Sequence, residues 1–220
     1  MKIIIVGPSH PYRGGIAAFT DRLAAEFVAE NVDVELYTFT LQYPSILFPG
    51  KTQYSDAPAP NDISIFRRIN SINPLTWIKT AKEIRTKNPD IVIFAYRMSF
   101  FASCYAKMAK IIKKNKVSRC IGLVHNMMPH EQSILDRLFS PHFVKRMDAF
   151  VALSKSVLAD VSRLDNKSKP KYFSPHPLYD HYGDKEDKVM AMNSLYMDNN
   201  YNYLLFFGLI REYKGLDLLL

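Results

Sequence analysis

Lys2-Ile3-Ile4-Ile5-Val6-Gly7-Pro8-Ser9-His10-Pro11-Tyr12-Arg13-Gly14-Gly15-Ile16-Ala17-Ala18 decides the fold of this 220-residue chain. Lys2 to Gly7 is a continuously apolar, β-branched run, the pattern of a strand buried on both faces. Ala17 to Glu30 then sets Ala18, Leu23, Phe27 and Val28 along one side of a helix, with charge on the other. A strand, a turn with paired glycines and a helix together open a parallel α/β sheet.

Working outward, the same alternation recurs. Val32 to Phe39 reads as a second strand, and Leu75 to Lys87 as a helix whose start is marked by Asn73-Pro74, an N-cap residue followed by proline. Ile91 to Ala95, Arg119 to His125, Ala149 to Ser154 and Tyr172 to Ser174 are further strands. Helical stretches at Ser99 to Lys114, Ser133 to Met147 and Ser156 to Leu164 separate them. Short apolar runs divided by helices predict a Rossmann-like parallel sheet with helices on both faces, whose ligands bind beyond the carboxyl ends of the strands.

Leu41 to Asp62, rich in Pro, Tyr and Ser with little periodicity, reads as a long surface loop. The polar stretch through residues 179–202 reads as a linker carrying a short helix, so residues 1–178 form the first domain. Tyr203 to Leu209 is another buried-strand pattern, followed by Arg211, Lys214, Gly215 and a helix start; residues 203–220 are expected to begin a second, truncated α/β domain.

Composition narrows the function classes. Hydrophobic residues are 48% and charged residues 23%, which excludes a disordered or collagen-like chain. The net charge of +8 favours an anionic partner: nucleic acid, acidic lipid or a phosphorylated small molecule. That charge is local, since residues 91–130 hold Arg97, Lys107, Lys110, Lys113, Lys114, Lys116 and Arg119 and no acidic residue. Lys107, Lys110 and Lys114 share one face of the Ser99 to Lys114 helix, a face suited to anionic lipid. Cys104 and Cys120 lack metal or disulfide spacing, and the first residues lack the apolar length of an export signal. A cytoplasmic protein is expected, with any membrane contact peripheral at the inner face.

Several positions carry candidate chemistry. Gly14 and Gly15 open the first helix, where free N–H groups favour negative charge, although a plain turn also explains them. Their spacing is neither GxGxxG nor that of a P-loop. His125 stands at the carboxyl end of a strand, placed to exchange one hydrogen bond with a polar substrate group; loop capping is its simpler role. His130 and Glu131 read as a surface pair, and Ser154 as an N-cap with no nucleophile elbow around it. Arg211 and Lys214 repeat the strand, turn and helix grammar with two cations in the turn, fit to neutralise a diphosphate or simply solvated.

Taken jointly, Gly7-Pro8 with Gly14-Gly15-Ile16-Ala17, and Phe207-Gly208 with Arg211 and Lys214-Gly215-Leu216, resemble the two glycine-bearing motifs of the family 4 retaining glycosyltransferases. The resemblance implies a GT-B fold, this chain supplying the acceptor-side half and the first elements of the donor-binding half. It implies that Gly14 and Gly15 contact the donor, that His125 is the catalytic-site histidine hydrogen-bonded to the donor sugar, and that Arg211 and Lys214 hold the diphosphate. The nucleotide sugar is a substrate and no cofactor or metal is expected. The acceptor would be a glycan or a lipid-linked molecule in cell-surface polysaccharide synthesis, and the chain alone would be inactive. A non-catalytic nucleotide- or nucleic-acid-binding module is the alternative, without a recognised nucleic-acid motif to support it.

Overall fold

A computed structural model describes residues 1–44, 52–56, 58–128, 134–177, 183–198, 200–206, 210 and 214–219. The chain divides into a unit of Met1–His176 and a smaller one of Pro177–Leu220.

The first unit is a seven-stranded sheet, every neighbouring pair parallel, formed by β1 (Lys2–Val6), β2 (Asp33–Leu41), β3 (Ser64–Asn70), β4 (Ile91–Tyr96), β5 (Arg119–Val124), β6 (Ala149–Ala152) and β7 (Lys171–Phe173). The order is β3-β2-β1-β4-β5-β6-β7. The chain leaves β1 toward β2 and leaves β4 toward β5, so the direction of winding reverses between β1 and β4, and a crevice opens at their carboxyl ends.

Alternation along β1 shows why its whole run is apolar. Ile3 and Ile5 pack with Phe19, Ala24, Val34 and Leu36 under α1 (Gly15–Ala29) on one face. Ile4 and Val6 pack with Tyr37, Phe39, Val92, Phe94 and Tyr105 on the other. That second face is covered by α2 (Pro74–Thr86), α3 (Ala102–Ile112) and α4 (Ile134–Arg146), α2 lying on α3 and α3 on α4. Burying a residue of this size contributes about 1.5–3 kcal/mol, so the two-faced strands are the main stabilising layer.

Most expected elements form, with shifts of one or two residues at their ends. α1 starts at Gly15, two residues earlier than expected, and its buried residues are Ala17, Phe19, Thr20 and Ala24; Ala18, expected inward, is exposed. Asn73 caps α2, its Oδ1 accepting from Leu75 N at 3.0 Å. Ser154 caps α5 (Lys155–Leu164), its Oγ accepting from Val157 N at 3.2 Å, as its position after β6 predicts. β3 was not expected: it is an edge strand held by pairing to β2, with only Ile69 fully buried.

In the second unit α6 (Lys188–Ser194) is capped by Asp187, and a single turn, α7 (Leu216–Leu219), lies near the carboxyl terminus. Residues 203–206, expected to be a buried strand, carry no ladder, and Leu204 and Leu205 are exposed. A buried parallel strand requires flanking strands, and the second unit holds none among its described residues.

Candidate functional site

Gly7 ends β1 at the winding reversal. A Cβ there would stand 2.6 Å from the Ala95 Cβ of β4, so only glycine lets the two strand ends lie this close. The following loop is held from below by α1. Ser9, fully buried, donates its N–H to Thr38 Oγ1 and its hydroxyl to Asp21 Oδ1, while His10 N donates to Asp21 Oδ2 at 3.2 Å. Burial pushes the Asp21 carboxyl above its usual range against the opposing pull of those donors.

The loop returns to the helix through Gly14, whose φ of 116° and ψ of 162° belong to a region open essentially to glycine alone. Space is not the constraint, for nothing lies within 4 Å of where its Cβ would be. Gly14 O accepts from Ala18 N, and the first turn from Gly15 has neither a side-chain cap nor an acidic residue. Its leading N–H groups therefore have no side-chain cap and carry the positive end of the helix dipole.

His125 follows β5 on the same carboxyl edge, its N–H donating to Tyr96 O at 2.8 Å. The ring stands edge-on to Phe19 of α1, with centroids 5.0 Å apart, and 6.2 Å from the ring of His176, which follows β7. His125 Nε2 is buried with no hydrogen-bond partner among the described residues. Burial, then His176 and the Arg97 guanidinium, push its pKa down to about 4. At neutral pH it is an uncharged imidazole with one nitrogen waiting for a partner.

Toward the β3 edge, Arg13 N donates to Gln53 O and Ser55 N to Pro11 O, so residues 52–55 pair with the glycine loop. Arg67 lies 6.0 Å from the Tyr12 ring centroid and 5.6 Å from that of Tyr54. Tyr54 is 46% exposed beside that guanidinium.

Of the positions picked out from sequence, Gly14 and Gly15 lie at the start of α1 and His125 just beyond β5, where its ring meets Phe19 of α1. Arg211, Gly208, His130 and Glu131 lie outside the described residues. Lys214 is exposed in the second unit, its Nζ 5.9 Å from the Phe206 ring centroid. No group of three or more His, Cys, Asp or Glu fit for a metal occurs among the described residues. Both cysteines are buried, and burial raises their thiol pKa values, that of Cys120 to about 12. Asp21, Phe19 and Arg97 were not singled out by sequence as site residues. Only Arg97, one residue beyond β4, held a position that the parallel-sheet rule marks in advance.

The fold and this carboxyl-edge crevice define a Rossmann-like half of a GT-B protein. The profile of Glycosyltransferase Family 4 matches residues 13–171, and the chain belongs to that family. Among solved structures it is similar to sucrose-phosphate synthase from Thermosynechococcus elongatus (TM-score 0.56, 11% identity, 90% of this chain and 53% of that one). It is also similar to an alpha-glucosyltransferase in complex with UDP (0.52, 16%, 81% and 44%). UDP-N-acetylglucosamine 2-epimerase from Rickettsia bellii is a third (0.51, 12%, 80% and 44%). The chain spans about half the length of these structures. Curated proteins give no match.

Proposed function

We propose that the full-length protein is a retaining glycosyltransferase that moves a sugar from a nucleotide donor to a hydroxyl of a glycan or lipid-linked acceptor, in the assembly of cell-surface polysaccharide on the cytoplasmic side of the membrane. The observation that carries the reading is a buried His125 Nε2 without a hydrogen-bond partner among the described residues, its ring packed on the same α1 whose N-terminus has no side-chain cap, in a family 4 fold.

The roles follow from the chemistry. First-turn amides at Gly14 and Gly15 face the donor's negative charge. His125, neutral and fixed by Phe19 and Tyr96, exchanges one hydrogen bond with a donor sugar hydroxyl without adding charge. Arg211 and Lys214 of the second unit stabilise the departing diphosphate, work that otherwise falls to a metal ion. Tyr54 and Arg67 border the acceptor side, an aromatic face and a cation suited to a sugar ring bearing an anionic group.

The test is release of nucleoside diphosphate by the full-length protein across a panel of UDP-, GDP- and ADP-sugars. One donor is expected to turn over, with loss in the Arg211→Ala, Lys214→Ala double variant. A panel without turnover, or a double variant as active as the parent, would reject the reading.

A further inference from the structure

Away from the crevice, on the outer side of the helix layer, α3 and α4 enclose a groove of about 540 Å³. Its apolar lining is Ala106, Phe139 and Pro141, and it is also lined by Lys107 and Lys110 from α3 and Lys145 and Arg146 from α4. No acidic side chain lines it among the described residues.

None of the four forms an ion pair among the described residues, as holds for most basic side chains of this protein, and it is their clustering at one groove that marks them. Lys113, one turn beyond Lys110, is neutralised by Asp148; Lys2 and Lys87 share Glu35; Lys171 meets Asp165 at 2.7 Å. The cations also surround apolar surface rather than polar surface. Phe139 is 37% exposed and its neighbour Leu138 57% exposed, whereas Phe143 and Val144 of the same helix are buried. A cluster of unpaired cations beside an exposed aromatic in water serves no packing purpose. A surface presenting phosphates above a hydrocarbon layer satisfies both at once.

We propose that the α3–α4 groove is the surface by which this protein docks on an anionic phospholipid bilayer. Lys107, Lys110, Lys145 and Arg146 meet headgroup phosphates, and Phe139 with Leu138 enters the acyl boundary. A nucleic-acid duplex also offers phosphates, but it leaves those two apolar side chains facing water. The inference rests on the membrane-side acceptor proposed above. It names the docking face, and it places that face on the outer helix layer rather than at the carboxyl edge where His125 lies.

The experiment is co-sedimentation of the intact protein with vesicles of phosphatidylcholine alone or with 30% phosphatidylglycerol, at low and high salt. Binding is expected only with the anionic lipid and is expected to fall with salt. Lys107→Glu with Lys110→Glu is expected to weaken it by well over tenfold, given about fivefold per basic residue removed. Lys185→Glu with Lys188→Glu, the same charge change in the second unit, is expected to weaken it less than threefold. Leu138→Ala with Phe139→Ala is expected to reduce binding while leaving its salt dependence intact. Circular dichroism melting curves check that each variant is folded, and Lys145→Glu with Arg146→Glu repeats the test from α4 if the α3 pair is not. Equal binding to both vesicle types, no loss in the folded groove variants, or tighter binding to a DNA duplex than to vesicles at the same salt overturns the proposal. Nucleoside diphosphate release without vesicles is read in parallel, so a failed docking face and a failed transferase reading give different results.

Discussion

His125 and Phe19 meet edge to face, with ring centroids 5.0 Å apart and planes at 86°. The contact ties the end of β5 to the second turn of α1. The same helix turn carries Asp21, which holds Ser9 and His10. One element therefore sets both the imidazole and the glycine loop, and a disturbance in α1 reaches both.

Replacing His125 by Ala is expected to lower turnover of the full-length enzyme by about 10²-fold or more, the usual effect of removing a group that stabilises a transition state. The melting temperature should fall only modestly, because no described side chain depends on Nε2 for a hydrogen bond. Steady-state kinetics beside a thermal melt separate the two effects, and unaltered turnover would remove His125 from the chemistry.

The depressed pKa of the same residue predicts a pH dependence of stability. The unfolded imidazole takes up a proton near pH 6.5, whereas the folded one resists until about 4. Stability from this group is therefore complete above pH 6.5 and lost as the pH falls toward 4, up to about 3 kcal/mol. Urea titrations between pH 7 and 4 should show a shallower decline for His125→Gln than for the parent.

Gly7→Ala should destabilise by about 1–3 kcal/mol, through the overlap with Ala95. Adding Ala95→Gly should restore part of the loss, with a coupling of at least about 0.5 kcal/mol in the cycle of denaturant midpoints. Additive losses would mean the close approach is not what requires glycine.

Gly14→Ala and Gly14→Asn should both cost about 1–3 kcal/mol, since asparagine tolerates the left-handed helical region but not a ψ of 162°. Rescue by asparagine in a chemical denaturation series would show that the loop relaxes to a different backbone path.

Asp21→Ala should cost about 1–3 kcal/mol by leaving the fully buried Ser9 hydroxyl without its acceptor. Asp21→Asn retains an acceptor oxygen and should recover most of it. Equal destabilisation by both would assign the effect to the charge rather than to the clamp.

The central strands and the helix caps were legible in the sequence because each depends on local pattern. Ile3 to Val6 announces two-sided burial, and Asn73 and Ser154 cap helices whatever the rest of the chain does. β3 was not legible: adjacent Arg67 and Arg68 break the apolar alternation, and the strand is held by backbone pairing to β2, which leaves no imprint on composition. His125 was legible for the same reason as β1, since every parallel strand ends at one edge. Its partnership with Phe19 was not, because a contact across more than a hundred residues depends on the order β1-β4-β5, which no spacing encodes. Tyr203 to Phe206 is the converse case, an apolar run that reads as a strand but pairs with no strand among the described residues.

The margins of the sheet bear on how copies of the protein behave in a crowded solution. One margin, β7, is three residues long; the other, β3, bears two adjacent guanidinium groups and twice slips register against β2. A foreign chain seeking to extend the ladder finds one side too brief and the other charged and uneven. Both margins of the sheet thus carry features that disfavour extension of the ladder by another chain.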